Sequence, residues 1–327
     1  MRISEVVIVA MAAVALASCR NDTAPQQGSS SPPSNATHPS GNTDSRILGF
    51  TGRPFGLNVT SAGDVLTTEQ DMNQAVHIDS LGGRPANIAV GRDPGDVVTT
   101  KDGGTAFVSG FFDGTVSVVT LSTNQVPAII PVSPSNAYRL ALSSSGSDLY
   151  VTSTDGHLYD VSTGSRTVTR SVALGGSQGI AINHAGTSLY VSSTSGTIWR
   201  LNLPGLGTAT SVTQNCAGQE VALSTDDAEL YFACEDGKVL VLDPTSLALK
   251  ATIPIVNQSP FGMAVSPDNQ QIYVACAGSG ALAVIDRASR TVIKELGVGG
   301  MPRRVGFNKT GNKAYISNEG NWVDVIE

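Results

Sequence analysis

From about residue 46 onward the chain is a succession of short runs in which apolar and polar residues alternate, closed by Gly, Asp, Asn or Ser. Alternation of period two is the mark of a strand with one face buried, and the closing residues are turn formers. One pattern recurs: a small-residue turn, an alternating strand, a Gly or Asp turn, then a second strand centred on a large residue. The second strands are Val65-Leu66-Thr67, Ala106-Phe107-Val108, Leu149-Tyr150-Val151, Leu189-Tyr190-Val191, Leu230-Tyr231-Phe232, Ile272-Tyr273-Val274 and Ala314-Tyr315-Ile316. Their central residues lie 41, 43, 40, 41, 42 and 42 positions apart. Seven copies at this period fit four strands per unit with short connections, which predicts an all-β chain forming a single seven-bladed β-propeller of antiparallel four-stranded blades.

Within the sixth unit the strands read Gly262 to Ser266 (A), Gln271 to Ala275 (B), Leu282 to Ile285 (C) and Arg290 to Leu296 (D). The pairs Asp113-Gly114, Asp155-Gly156 and Asp236-Gly237 separate strands B and C, and Asp-Gly predicts two-residue type I′ hairpins. The seventh unit stops after Trp322-Val323-Asp324-Val325-Ile326, without a strand D. Arg46 to Phe50, ahead of the first strand A, is predicted to pair with that last strand and close the ring, which removes the exposed edges.

The remaining chain reads as an address. Val6 to Ala17 is apolar but too short to span a bilayer as a mature helix. It ends in Leu16-Ala17-Ser18-Cys19, which resembles the lipobox of bacterial lipoproteins. That resemblance implies removal of residues 1–18, a diacylglycerol on the Cys19 sulfur and attachment to a membrane. Arg20 in place of Asp after the Cys implies the outer membrane of a two-membrane cell, on its periplasmic side or at the cell surface. Arg20 to Ser45 has no large apolar residue, so residues 19–45 are expected to form a disordered Ser/Pro/Asn-rich tether with the propeller at 46–327. As a coil such a tether spans roughly 25–30 Å.

Composition agrees: 35 glycines and 16 prolines with only 14% charged residues suit short strands and tight turns. The net charge of −7 disfavours broad binding to phosphate backbones, and Arg303-Arg304 with Lys309 and Lys313 is a sparse basic cluster. Nucleic acid is therefore not an expected partner, and a monomer is expected.

The stretches Ile272-Tyr273-Val274-Ala275-Cys276-Ala277-Gly278-Ser279-Gly280, Val284-Ile285-Asp286 and Val298-Gly299-Gly300-Met301-Pro302 resemble the YVTN-repeat propeller family. The likeness covers about residues 46–327, strongest in the last two units. It implies an exported binding propeller or, through lactonase-like relatives, a hydrolase. Where the family often has Asn after strand B, Asn318 keeps it, whereas Cys234 and Cys276 replace it.

Candidate chemistry is thin. The chain has no His-Glu-x-x-His, no phosphate-cradling Gly-x4-Gly-Lys-Ser/Thr and no Cys-x2-Cys. His38, His77, His157 and His184 fall in four different settings, which gives no histidine metal cluster. Propeller geometry instead places the residues entering strand A and leaving strand B at a central mouth. There Phe55, Tyr138 and Phe261 accompany Asp96, Gln219, Glu220, Arg139, Arg303, Arg304 and Asn318 as a candidate ligand site. A hydrolase would use Glu69, Glu220, Glu235 and Glu319, with a divalent cation only in that case. The same charges also read as mutually paired rim groups. No cofactor is expected for a binding module whose partner is a protein or small polar ligand. Of the cysteines beyond Cys19, either Cys216 and Cys234 form a disulfide with Cys276 left as a buried thiol, or all three stay unpaired.

Overall fold

The computed structural model describes residues 36–327 apart from 42, 82, 84, 85 and 257. The signal segment 1–18, Cys19 and most of the expected tether lie outside the described residues.

Seven antiparallel four-stranded sheets follow one another along the chain, each in the sequential order A-B-C-D except the last. The inner strands A are Pro54–Val59, Pro94–Thr99, Leu140–Leu142, Ile180–Ile182, Gly218–Leu223, Pro260–Val265 and Pro302–Phe307. Each contacts the strand A of the next blade, and that of blade 7 contacts that of blade 1, so the ring is closed. In blade 6 the strands span Pro260–Val265, Gln271–Cys276, Ala281–Asp286 and Thr291–Gly297, within two residues of the pattern read from sequence. The only helical turn among the described residues is Gln70–Met72.

The core is not one body but seven layers, each between two neighbouring blades. Tyr190 of blade 4 packs with Val221, Phe232 and Leu240 of blade 5, and Tyr231 of blade 5 with Met263, Ile272 and Val274 of blade 6. Tyr315 of blade 7 packs with Leu57, Val65 and Val76 of blade 1. The large residue at the centre of each second strand is thus explained by burial between blades, where an aromatic ring removes most apolar area from water.

The turns obey a stricter rule than the sequence suggested. Gly114, Gly156 and Gly237 adopt positive φ, but Asp113, Asp155 and Asp236 do not. The type I′ expectation is therefore corrected. In blade 3, Gly156 N–H donates to Ser153 O and Ser153 N–H to His157 O, a type I turn followed by a left-handed residue. Asn73, Gly196, Gly280 and Asn321 hold the same left-handed place in other blades.

Ring closure is as expected in kind and shifted in position. The closing strand is Asp44–Ile47, not 46–50, and it pairs with Trp322–Ile326 in the register Arg46↔Asp324. Arg46 Nε donates to Asp324 at 3.1 Å, and the Arg46 guanidinium lies 4.2 Å from the Trp322 ring centre. The chain before this strand is also seated. Thr37 N–H donates to Thr310 O, Gly41 N–H to Glu327 O, and Tyr273 OH to Pro39 O. His38, expected in a free tether, lies 2.5 Å from Asp268. In blade 4 the matching tyrosine, Tyr190, donates to Pro244 O in the C–D turn of blade 5. Blade 7 has no such turn because its strands C and D come from opposite chain ends. Residues 37–41 and Thr43 take its place.

Candidate functional site

Strand ends and turns sort onto two faces. The D–A loops meet the B–C turns on one, as when Leu174 N–H donates to Gly156 O and Ile255 N–H to Gly237 O. The A–B and C–D turns meet on the other. The first face holds the mouth of the axis.

Two successive residues at the start of each strand A, or just ahead of it in blades 3 and 4, meet the axis. Those nearer the mouth are Phe55, Gly95, Tyr138, Gln178, Gln219, Phe261 and Arg303, and those below are Gly56, Asp96, Arg139, Gly179, Glu220, Gly262 and Arg304. Strand A bulges here in blades 1, 2, 5, 6 and 7, which turns both side chains inward. The lower layer sets four long charged side chains among three glycines. A Cβ on Gly56 would stand 2.9 Å from Asp96 Cα, and one on Gly179 3.0 Å from Glu220 Cα. Glycine at these places lets adjacent backbones close in, and the charged neighbours fill the axis.

A ring of hydroxyls carries this layer. Asp96 N–H donates to Ser109 Oγ (2.9 Å), Arg139 N–H to Thr152 Oγ1 (3.0 Å), Gly179 N–H to Ser192 Oγ (2.9 Å) and Arg304 N–H to Ser317 Oγ (3.0 Å). Ser109, Ser192 and Ser317 then donate to Tyr138 O, Gln219 O and Phe55 O of the following blade. Each hydroxyl satisfies a backbone N–H at the start of strand A that the ladder leaves unpaired, and Ser109, Ser192 and Ser317 bridge to the next blade. These residues were not singled out from sequence. Their signal is a hydroxyl directly after the Tyr-Val of strand B, which Ala233 and Ala275 break in blades 5 and 6.

The lower layer is a buried tetrad of two acids and two bases. Asp96, Arg139, Glu220 and Arg304 are each 0% exposed. Arg304 Nη2 lies 3.1 Å from Asp96 Oδ1, Arg139 Nη1 3.6 Å from Asp96 Oδ2, and Arg304 Nη1 3.9 Å from Glu220 Oε1. Leu140 N–H and Val97 N–H also donate to the Asp96 carboxylate, and Met263 N–H to Glu220 Oε2. Burial pushes the Glu220 carboxyl well up, against the Arg139 charge and the Met263 donor. Asp96 is raised by the same burial, opposed first by Arg139.

Above it sits a stopper. The Arg303 guanidinium carbon lies 3.9 Å from the Phe261 ring centre and 5.3 Å from that of Phe55, with Arg303 Nε 2.5 Å from Glu319 Oε1. Arg53, which the sequence reading did not select, donates to the other Glu319 oxygen at 3.2 Å and also pairs with Asp71. Phe55, Tyr138, Phe261, Gln219 and Arg303 are all buried. The structure thus gathers Phe55, Tyr138, Gln219, Phe261 and Arg303 at the mouth, but puts Asp96, Arg139, Glu220 and Arg304 beneath them, away from a ligand at the rim. Asn318 is engaged on the rim: its amide donates to Gly299 O and Asp324, and its carbonyl accepts from Met301 N–H and Gly320 N–H.

The carboxylates proposed for hydrolysis do not converge. Glu69 is fully buried, accepting from Thr51 N–H, Gly52 N–H and Gln74. Glu319 is held by the two arginines, and Glu220 lies within the axis. Glu235 is half-buried; burial raises its carboxyl, opposed by a hydrogen bond from Gln219 and by the Arg303 charge. Among the described residues the one group with ligand atoms close enough to share a metal ion is Cys216, Cys234 and Asp236, which includes none of these glutamates. The four predicted acids therefore do not fit a divalent cation as a set.

Cys216 and Cys234 are joined in a disulfide, Cα–Cα 5.4 Å, which fixes the loop entering blade 5 to the end of its strand B. Gly218 faces Cys234, and the bulge that follows shifts the register of the strand beyond it. Cys276 is a buried free thiol, pushed up to about 12 by desolvation. One nucleophile-like run, Gly-Gly-Ser-Gln-Gly at residues 175–179, sits in a D–A loop, and its Ser177 is buried and donates to Ser153 O. It has neither the strand-to-helix elbow nor the exposure such a serine needs. A separate polar cleft of about 480 Å³ opens on the opposite face near Glu229, Arg287 and Arg290, whose charges pair with one another.

No protein-family model matches the chain, and no curated protein matches it. Among solved structures, a chain of Kuenenia stuttgartiensis hydrazine synthase superimposes with a TM-score of 0.76 at 18% identity, covering 85% of this chain and 96% of that one. At that identity the likeness is one of fold alone.

Proposed function

We propose that this chain is an exported, lipid-anchored propeller of YVTN type that acts as a non-enzymatic binding module through its mouth face. The observation that carries this reading is the engagement of the mouth carboxylates. Glu69 and Glu319 spend their oxygens on the protein's own donors, and Glu220 is buried in the axis with one oxygen on Met263 N–H, which leaves a rigid, shaped surface rather than a set of poised acids and bases. Rigidity follows from the closed ring and the hydroxyl bridges between successive inner strands, and preorganised loops on a rigid frame favour recognition. The lipobox-like Leu16-Ala17-Ser18-Cys19 supports attachment to a membrane through Cys19, with no nucleic-acid partner and a monomeric body.

The test pairs binding with turnover. Purified full chain is screened against arrays of polar small molecules and peptides, and in parallel against a lactone panel with and without divalent cations. The expected result is binding weakened by Glu235→Gln or Tyr138→Ala and no lactone turnover. Turnover abolished by Glu235→Gln or Glu319→Gln would replace the binding reading with a hydrolase. For the anchor, Cys19→Ser is expected to release the chain from membranes; a variant that stays membrane-bound would refute lipidation at Cys19.

A further inference from the structure

The mouth holds a cation, and that cation belongs to the protein itself. Arg303 is 6% exposed and lies against two aromatic faces, with a carboxylate on its edge. An aromatic face presents negative quadrupole charge, so two rings and a carboxylate form a cage selective for guanidinium or ammonium. Its walls come from three separate blades: Phe55 from blade 1, Phe261 from blade 6 and Glu319 from blade 7.

Two further features bear on whether the occupant can leave. Glu319 is shared, its second oxygen accepting from Arg53, so it keeps a partner when Arg303 withdraws. Arg303 also feels the negative charge of half-buried Glu235, which offers its guanidinium a second carboxylate. The surrounding rim is suited to a positive ligand. Among the described residues of blades 3 to 5, the mouth face carries Asp155, Glu235 and Asp236 against Lys238, the latter already 2.5 Å from Asp236.

Resting on the binding-module reading, we propose that the mouth is a recognition site for a cationic side chain. Phe55, Phe261 and Glu319 form a cage that Arg303 fills in the free protein and that an arginine-like group of a peptide partner takes over on binding. The ligand class is a guanidinium-bearing peptide; Arg303 marks the chemistry that the cage accepts.

The test uses N-acetylarginine amide and its uncharged isostere N-acetylcitrulline amide as probes, titrated calorimetrically into the full chain. Wild-type protein should bind the arginine probe and not the citrulline one. Arg303→Ala should tighten binding about tenfold by removing the competitor, and Phe261→Leu should weaken it about tenfold, the loss of a desolvated cation–π contact. Glu319→Gln serves beside Phe261→Leu in case the core variant fails to fold, and should weaken binding similarly. Equal affinity for both probes in wild type and in Arg303→Ala would overturn the proposal. Binding by Arg303→Ala with none by wild type would also overturn it, because Arg303 would then be a permanent filler. Either failure leaves the broader binding module standing if the array screen finds a neutral or anionic ligand whose affinity depends on the mouth.

Discussion

Four charged side chains at zero exposure set the energetics of the axis, and their net charge cancels when all are ionised. Removing one partner from such a group strands a charge in low dielectric, which costs roughly 3–5 kcal/mol. Arg304 is the member that touches both acids, so Arg304→Met should be the most damaging single change at the axis. Glu220→Gln should behave differently. Its Oε1 accepts no hydrogen bond, its Oε2 keeps the Met263 donor in the amide form, and burial raises its pKa. A raised folded-state value means that the neutral carboxyl is favoured by folding. That contribution is complete below the ordinary glutamate value of 4.5 and is lost as pH rises toward the folded-state value. Glu220→Gln should therefore match wild type near pH 4 and exceed it in melting temperature at pH 8. A gap that shrinks with rising pH would show that Glu220 is ionised and held by the axis arginines.

At the scale of elements, the seam between blades 6 and 7 is the least repetitive part of the ring. Every other blade closes its outer hairpin with a local turn, whereas blade 7 borrows strand Asp44–Ile47 and the seated residues 37–41 and 43 from the other end of the chain. A chain beginning at Asp44 keeps the closing strand but loses the hydrogen bonds of Thr37, Ser40 and Gly41, the His38–Asp268 contact and the acceptor of Tyr273. At about 1 kcal/mol for each net hydrogen bond, this should lower the melting temperature by roughly 5–10 °C. A chain beginning at Leu48 also exposes the edge of Trp322–Ile326 and should aggregate. Equal melting of all three chains would mean that the seam contributes nothing. The strands themselves were legible because alternation and the forty-odd-residue period are both printed in the sequence. The seating of residues 37–41 and 43 was not, because such polar chain has no burial signal. Its bonds are made mostly by backbone groups, which every sequence has. The type I′ expectation failed for a related reason: Asp-Gly names a turn, but the residues before it decide how many positions the loop contains.

Over the whole molecule, the mouth was legible as a set of residues and illegible as a set of depths. Sequence order fixes which residues enter strand A, so Phe55, Tyr138, Phe261 and Arg303 could be brought together in advance. Whether a charge at the next position rises to the rim or sinks into the axis depends on bulges and on glycines in other blades, such as Gly56 beside Asp96. The disulfide bears on how far such local order is shared around the ring. Cys216–Cys234 closes a loop of sequence separation 18, worth roughly 3 kcal/mol, and it fixes the entry of the strand that carries Gln219 and Glu220. In this ring the strands of each blade pack on those of its two neighbours, with longer reach only at the axis, as in Arg304–Asp96, so loss of the bond should loosen blade 5 and its flanks before the rest. Cys234→Ser should lower the melting temperature by roughly 5–10 °C and speed amide exchange at residues 214–223, with blades 1 and 2 unchanged. Intact mass must also rise by two hydrogens when denatured wild-type chain is reduced, and no rise would mean that the bond is absent. Faster exchange spread evenly over all seven blades would instead mean that the closed ring opens as a single cooperative unit. The mouth would then be held by the whole circle rather than by the blade beneath each residue.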